Sequence, residues 1–194
     1  MSFSNAILAK MPAEAQELAA AYQTNGLVIF KPTTTVDTEA VFNSYHFAIP
    51  ASLSFPKLMV DKKTYQPICN RIFPTNPGQV LTCKEAREVK PYTALFLDKE
   101  LLNEISLQVC KKNNVHFVNK SSVLSNYGHF LINQFIEEAR NRQLGYEFIL
   151  QSLSLQLAVV LLRELDNNVL YKDSQNSFSE KTNINRAIVF LDRK

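Results

Sequence analysis

Thr93 to Leu102, T-A-L-F-L-D-K-E-L-L, is the stretch at which the chain changes texture. Thr93 to Leu97 is short, apolar and β-prone, as a buried strand is. Asp98 suits a helix N-cap, because its carboxylate can accept a first-turn backbone N–H that has no intrahelical partner. From Lys99 to about Val109 the residues Leu101, Leu102, Ile105 and Val109 recur at helical spacing. Strand gives way to helix here, and the rest of the chain follows suit. Upstream lie short β-like runs between turns, and downstream lie long helical patterns. Strands followed by helices predict an α+β fold.

Upstream, the expected strands are Leu27–Phe30, Tyr45–Ile49, Leu58–Val60, Arg71–Phe73 and Gln79–Cys83, with Thr93–Leu97 closing the series. Turn signals separate them at Pro50, Pro56, Asp61-Lys62-Lys63, Pro67, Asn76-Pro77-Gly78 and Pro91. Short strands at this spacing predict a sandwich or barrel. Before them, Ala-rich Ala13 to Tyr22 reads as a short helix ended by an Asn25-Gly26 turn.

Downstream, Val115 to Val118 reads as extended. Ser121 or Ser122 is expected to cap a helix reaching about Arg142, with Val123, Tyr127, Phe130, Leu131 and Phe135 on one side and Ile132 and Ile136 widening it. Gly145 breaks the pattern. Tyr146 to about Leu165 is the most apolar helix and carries two stripes. One is Ile149, Leu150, Leu153, Leu157, Val160 and Leu161, and the other is Phe148, Leu155, Val159 and Leu162. A helix with two apolar faces must be covered twice. Either a partner chain covers the second face or the helix is wholly internal. Gln151, Ser152, Ser154, Gln156, Arg163 and Glu164 interrupt the run and argue against a membrane span.

Asp166 to Thr182 is polar and reads as a linker. In Asn183 to Lys194, Ile184, Ala187, Ile188 and Leu191 fall at helical spacing and read as the first helix of a further module. A short helix cannot bury its stripe alone, so the expectation is a front module whose second module is cut away or absent.

With 194 residues, 46% hydrophobic and 20% charged, the chain can hold one good core. The net charge of +3 is small, and Lys and Arg are interleaved with Asp and Glu, so no basic stripe points to nucleic acid. The start lacks the features of a signal peptide. Cys69, Cys83 and Cys110, odd in number and widely spaced, suggest reduced thiols and a cytoplasmic protein. With four glycines there is no dinucleotide fingerprint and no P-loop. His46, His116 and His129 form no H-x-H or H-E-x-x-H motif, so no metal and no other cofactor is expected. No nucleophile elbow is present, and adjacent Glu137 and Glu138 point apart on a helix.

The β-part does hold the inventory of a pocket. Tyr45, His46, Arg71, Phe73 and Tyr92 lie in or beside expected strands, along with Phe42, Phe47 and Tyr65. Apolar walls with a few polar groups make small-molecule sites, and an Arg among them could hold a carboxylate, phosphate or sugar oxygen. Most of these aromatics would equally serve as core, since a small barrel fills its own interior. A lone His among aromatics is more often a hydrogen-bonded wall residue than a ligand.

Three stretches together resemble a known family. Phe73 to Gln79 (F-P-T-N-P-G-Q) followed by Pro91 to Leu102 resembles the end of the N-terminal domain of AraC-type bacterial transcription regulators. Phe135 to Ala158 resembles the helical pair that follows it, and Asn183 to Leu191 the opening helix of the DNA-binding domain. The resemblance implies a cupin-like β-barrel that senses a small molecule (1–97), a helical pair that dimerises (98–165), a linker (166–182) and the start of a helix-turn-helix domain (183–194). It implies a homodimer that meets an unidentified small-molecule effector, touches DNA only through the further domain, and has no membrane role. Neither recognition helix is present, so no base-reading residue can be assigned. The ligand-binding expectation rests on Tyr45, His46, Arg71, Phe73 and Tyr92. The dimer expectation rests on Phe148, Leu155, Val159 and Leu162. The competing readings are a stand-alone, metal-free cupin-like enzyme or small-molecule binding protein, and a module that only pairs chains.

Overall fold

The computed structural model describes residues 3–10 and 20–169. The expected helix at 183–194 and most of the polar tract before it lie outside these residues. Within them the fold is α+β, with antiparallel sheets and four helices.

The chain opens with helix α1 (Phe3–Leu8), which the sequence reading did not anticipate. Strands β1 (Ala20–Thr24) and β2 (Leu27–Lys31) form a hairpin with Thr24 opposite Leu27. Ala20 to Tyr22 is therefore strand, not the tail of a helix, and the rest of that expected helix, 13–19, lies outside the described residues. The turn between them is Asn25-Gly26, with Gly26 at φ +104°. That dipeptide is a hairpin turn signal, and the pairing partner Leu27–Lys31 outweighs the helical bias of the alanines.

Then come β3 (Thr34–Thr35), β4 (Thr38–Val41), β5 (Ser44–Ile49), β6 (Leu58–Val60), β7 (Lys63–Tyr65), β8 (Phe73–Thr75), β9 (Val80–Cys83), β10 (Arg87–Glu88) and β11 (Thr93–Asp98). One sheet has the order β1-β2-β11-β5-β8, a second β4-β9-β6-β7, and β3 pairs with β10. Among the described residues no sheet closes on itself. The expected strand Arg71–Phe73 begins two residues later, because Ile72 pairs instead with Ser122 in an isolated bridge. At Asn76-Pro77-Gly78 the expected turn forms. Gln79 N–H donates to Asn76 O at 3.2 Å, and Gly78 takes φ +82°.

Helix α2 (Lys99–Cys110) starts as expected, with the Asp98 carboxylate accepting the Leu101 N–H at 2.9 Å. Helix α3 (Asn126–Asn141) starts later than expected and is capped by Ser125. Helix α4 (Tyr146–Glu164) follows a short turn and runs back along α3. The polar tract after it is packed at its beginning. Asn167 Nδ2 donates to Leu162 O and Leu165 O at 2.8 Å each, and Val169 is buried. The packed structure thus runs through at least Val169.

Strand alternation divides the five-stranded sheet into two faces. Leu27, Ile29, Tyr45, Phe47, Leu95 and Leu97 share a core with Leu102, Leu131, Phe135, Leu157 and Leu161 of the three longer helices. The opposite side presents Val28, Phe30, Ala94 and Phe96, against which Ile7 of α1 packs. Helix α4 has the length and composition of a membrane span. Its Leu150, Leu157 and Leu161 are nevertheless buried in the domain core.

Candidate functional site

The face of the five-stranded sheet away from the longer helices borders a cavity of about 110 Å³. His46 and Ala48 of β5 and Ala94 and Phe96 of β11 form one wall. Thr38 and Ala40 of β4, Leu58 of β6, and Leu81 and Cys83 of β9 form the other. Thr34, Thr35 and Tyr92 stand at the side, and Lys10, just past α1, also borders the space.

His46 is the least ordinary residue here. The even positions of β5 point toward the cavity, so an imidazole occupies a place otherwise held by apolar groups. Its ring centre lies 4.7 Å from that of Phe96 and 6.3 Å from that of Phe42. The residue is 7% exposed, and its Nδ1 has no hydrogen-bond partner. Burial holds the imidazole in its neutral form, with a pKa lowered to about 4. Tyr92 stacks edge-on against Phe55 at 4.9 Å, and burial, with a smaller contribution from Cys83, raises its phenol pKa.

Two other polar groups on the wall are already engaged. Thr35 Oγ1 donates to Glu85 O at 2.7 Å, and Lys10 Nζ donates to Val41 O at 2.6 Å. Lys10 is the one charged side chain among the described lining residues. No group of three His, Cys, Asp or Glu comes together among the described residues in a way that could hold a metal ion.

The five residues expected to bind ligand are thus separated. His46 and Tyr92 line the cavity. Tyr45 does not, because odd positions of β5 face the helices. Its ring packs edge-on against Phe117 at 5.5 Å and its hydroxyl donates to Val115 O at 2.7 Å. Phe73 is buried beside the cavity in a cluster with Phe55, Leu58, Val60 and Cys83, and stacks near Tyr65. Arg71 is exposed and takes no part in the lining. The expectation missed the β4 part of the second wall, because Thr38–Val41 carries little strand signal of its own.

The helical face divides as well. Phe148 is 79% exposed and Leu155 42%, whereas Val159 is partly covered and Leu162 is 2% exposed within the core. Leu162 therefore belongs to the interior of the domain and not to an outward stripe. Helix α3 adds Tyr127 and Phe130, both about half exposed, with ring centres 6.4 Å apart. The Tyr127 hydroxyl donates to Gln156 Oε1 at 2.7 Å, which joins the outer surfaces of α3 and α4 into one patch.

No protein-family model matches this chain, and no curated protein matches it in sequence.

Proposed function

We propose that this chain is a non-enzymatic, small-molecule-sensing and pairing module. The observation that carries the reading is the cavity between the sheets, apolar over most of its wall and holding a buried imidazole whose Nδ1 is unpaired. Small-molecule sites have this composition, and an unpaired buried polar group costs free energy that a ligand can recover. Two facing antiparallel sheets followed by an antiparallel helix pair are also the order that the resemblance to AraC-type regulators implies. On that reading the sheets are a cupin-like sensor of a cytoplasmic bacterial regulator. The exposed patch of Tyr127, Phe130, Phe148 and Leu155 pairs two copies, and a helix-turn-helix domain beyond residue 194 binds DNA. Pairing would give two such domains a high effective concentration on two half-sites.

Thermal unfolding of the chain with a broad metabolite panel tests the sensor half. A ligand that binds only the native state raises its apparent stability. At least one compound should stabilise the wild type and lose its effect in Ala40→Ile, which fills the cavity from β4. A panel with no stabilising compound would defeat this half. Light scattering tests the other half, with a dimer mass expected for the wild type and a monomer mass counting against pairing.

A further inference from the structure

We infer that the cavity takes a compact, uncharged, mainly apolar molecule, of about single-ring size, that offers hydrogen-bonding groups to His46 and Tyr92. This inference rests on the sensor reading above and narrows its ligand.

Size is the first constraint. A cavity of about 110 Å³ is smaller than the ~150 Å³ engineered protein cavity that holds benzene. A single ring is therefore the upper limit of what this space takes, and a sugar chain or nucleotide does not fit.

Charge is the second. Burying an ion requires an opposite charge or a full set of hydrogen bonds. No carboxylate lines the described wall, so a cation finds no partner. The one ammonium is that of Lys10, which lies in an exposed hydrogen bond to Val41 O. Lys10 borders the space beside Phe42, but its ammonium is exposed and already bonded, so water screens the one charge an anion could meet. Nor does His46 supply a positive charge, since it is neutral at physiological pH.

Hydrogen bonding is the third. The Thr35 hydroxyl and the Cys83 thiol already donate to Glu85 O. His46 Nδ1 has no partner, and the Tyr92 hydroxyl makes no hydrogen bond to the described residues. A neutral imidazole offers one donor and one acceptor nitrogen, and a phenol can give or take a proton. A small turn of the His46 ring would bring its buried Nδ1 to a hydroxyl, carbonyl or N–H on the ligand, while the ligand's apolar body would meet Phe55, Leu58, Leu81 and Phe96.

The test compares three probes of one shape: phenol, benzoate and benzylamine, at millimolar concentration and pH 7.5, with thermal unfolding and ligand-observed NMR as readouts. The expected result is stabilisation by phenol alone. Affinity should be weakened by roughly three- to tenfold in His46→Phe and in Tyr92→Phe, the loss of one hydrogen bond. Two variants are used so that a folding defect in one does not decide the outcome. Stronger stabilisation by benzoate or benzylamine overturns the uncharged class while leaving the cavity as a ligand site. Phenol binding untouched by both substitutions overturns the anchoring. No response to any of the three overturns the single-ring class, and the sensor reading falls with it only if the broad panel is also silent.

Discussion

Glu164, in the last turn of α4, accepts two hydrogen bonds from Ser125, the residue that caps α3. The Ser125 backbone N–H reaches Oε2 at 2.8 Å and the Ser125 hydroxyl reaches Oε1 at 2.6 Å. The same hydroxyl oxygen accepts the Gly128 N–H at 3.1 Å. One serine thus starts one helix and fastens the end of the other, which fixes the pair as antiparallel. Ser125→Ala removes the cap and one bond to the carboxylate, and should cost about 1–2 kcal/mol. Glu164→Gln keeps an acceptor oxygen and should cost less. Urea unfolding of the two variants checks the order, and equal stability with wild type would show that water replaces the bonds.

The cavity histidine gives the protein a pH dependence with a definite sign. In the unfolded chain His46 protonates near its ordinary pKa of 6.5, and in the fold only near about 4. Above 6.5 both states hold the neutral ring, so this residue contributes no pH dependence. Between 6.5 and 4 the unfolded state binds the extra proton, so stability falls as the pH falls, and it levels off below 4. The full loss is on the order of 3 kcal/mol. Other groups titrate over the same range, so the quantity to measure is the difference between wild type and His46→Phe. The variant should lose less stability between pH 7 and pH 4.5, and parallel curves would mean that His46 charges freely in the fold.

Asn76 is buried at the end of β8 and treats the Phe117 backbone as a strand would. Its Nδ2 donates to Phe117 O at 2.8 Å and its Oδ1 accepts the Phe117 N–H at 2.8 Å. Asn76→Ala leaves both backbone groups unpaired in the interior and should cost about 2–4 kcal/mol. Asn76→Asp keeps the acceptor and loses the donor. It should fall at least as far, because it also buries a charge. Loss of amide-exchange protection at Phe117 in Asn76→Ala, but not in Asn76→Asp, which still accepts that N–H, would tie the effect to these bonds.

What was legible in the sequence, and what was not, follows from where each decisive contact lies. Asp98 caps α2 through Leu101, three residues away, so local chemistry was enough to place it. Leu27–Phe30, Leu58–Val60 and Thr93–Leu97 carry strand signals of their own. The start of α3 was displaced because Ser122 spends both its backbone groups on Ile72, fifty residues earlier. No local pattern reports such a bond. Tyr45 and His46 were both expected at a ligand. Strand alternation sends neighbouring side chains to opposite faces, so at most one could line a given side of the sheet, and only the helix packing decides which. Arg71 drew attention by its charge, but no partner draws it inward. The stripe from Phe148 to Leu162 reads as one face because 3.6-residue spacing cannot see that the helix dips into the core at its far end.

That dip supplies the sharpest separation between pairing and folding. Phe148 and Leu155 are exposed on α4, while Leu162 is enclosed by the core. Phe148→Asp combined with Leu155→Asp should leave a folded, soluble protein with monomer mass by light scattering and a nearly unchanged unfolding midpoint at matched concentration, apart from the dimer's own contribution. Leu162→Asp should unfold the chain, since a carboxylate placed in the core loses the packing of a buried leucine and adds a desolvated charge, together about 3–5 kcal/mol or more. A double variant that remains dimeric would place the pairing surface elsewhere. A double variant that unfolds would show that Phe148 and Leu155 are covered within one chain.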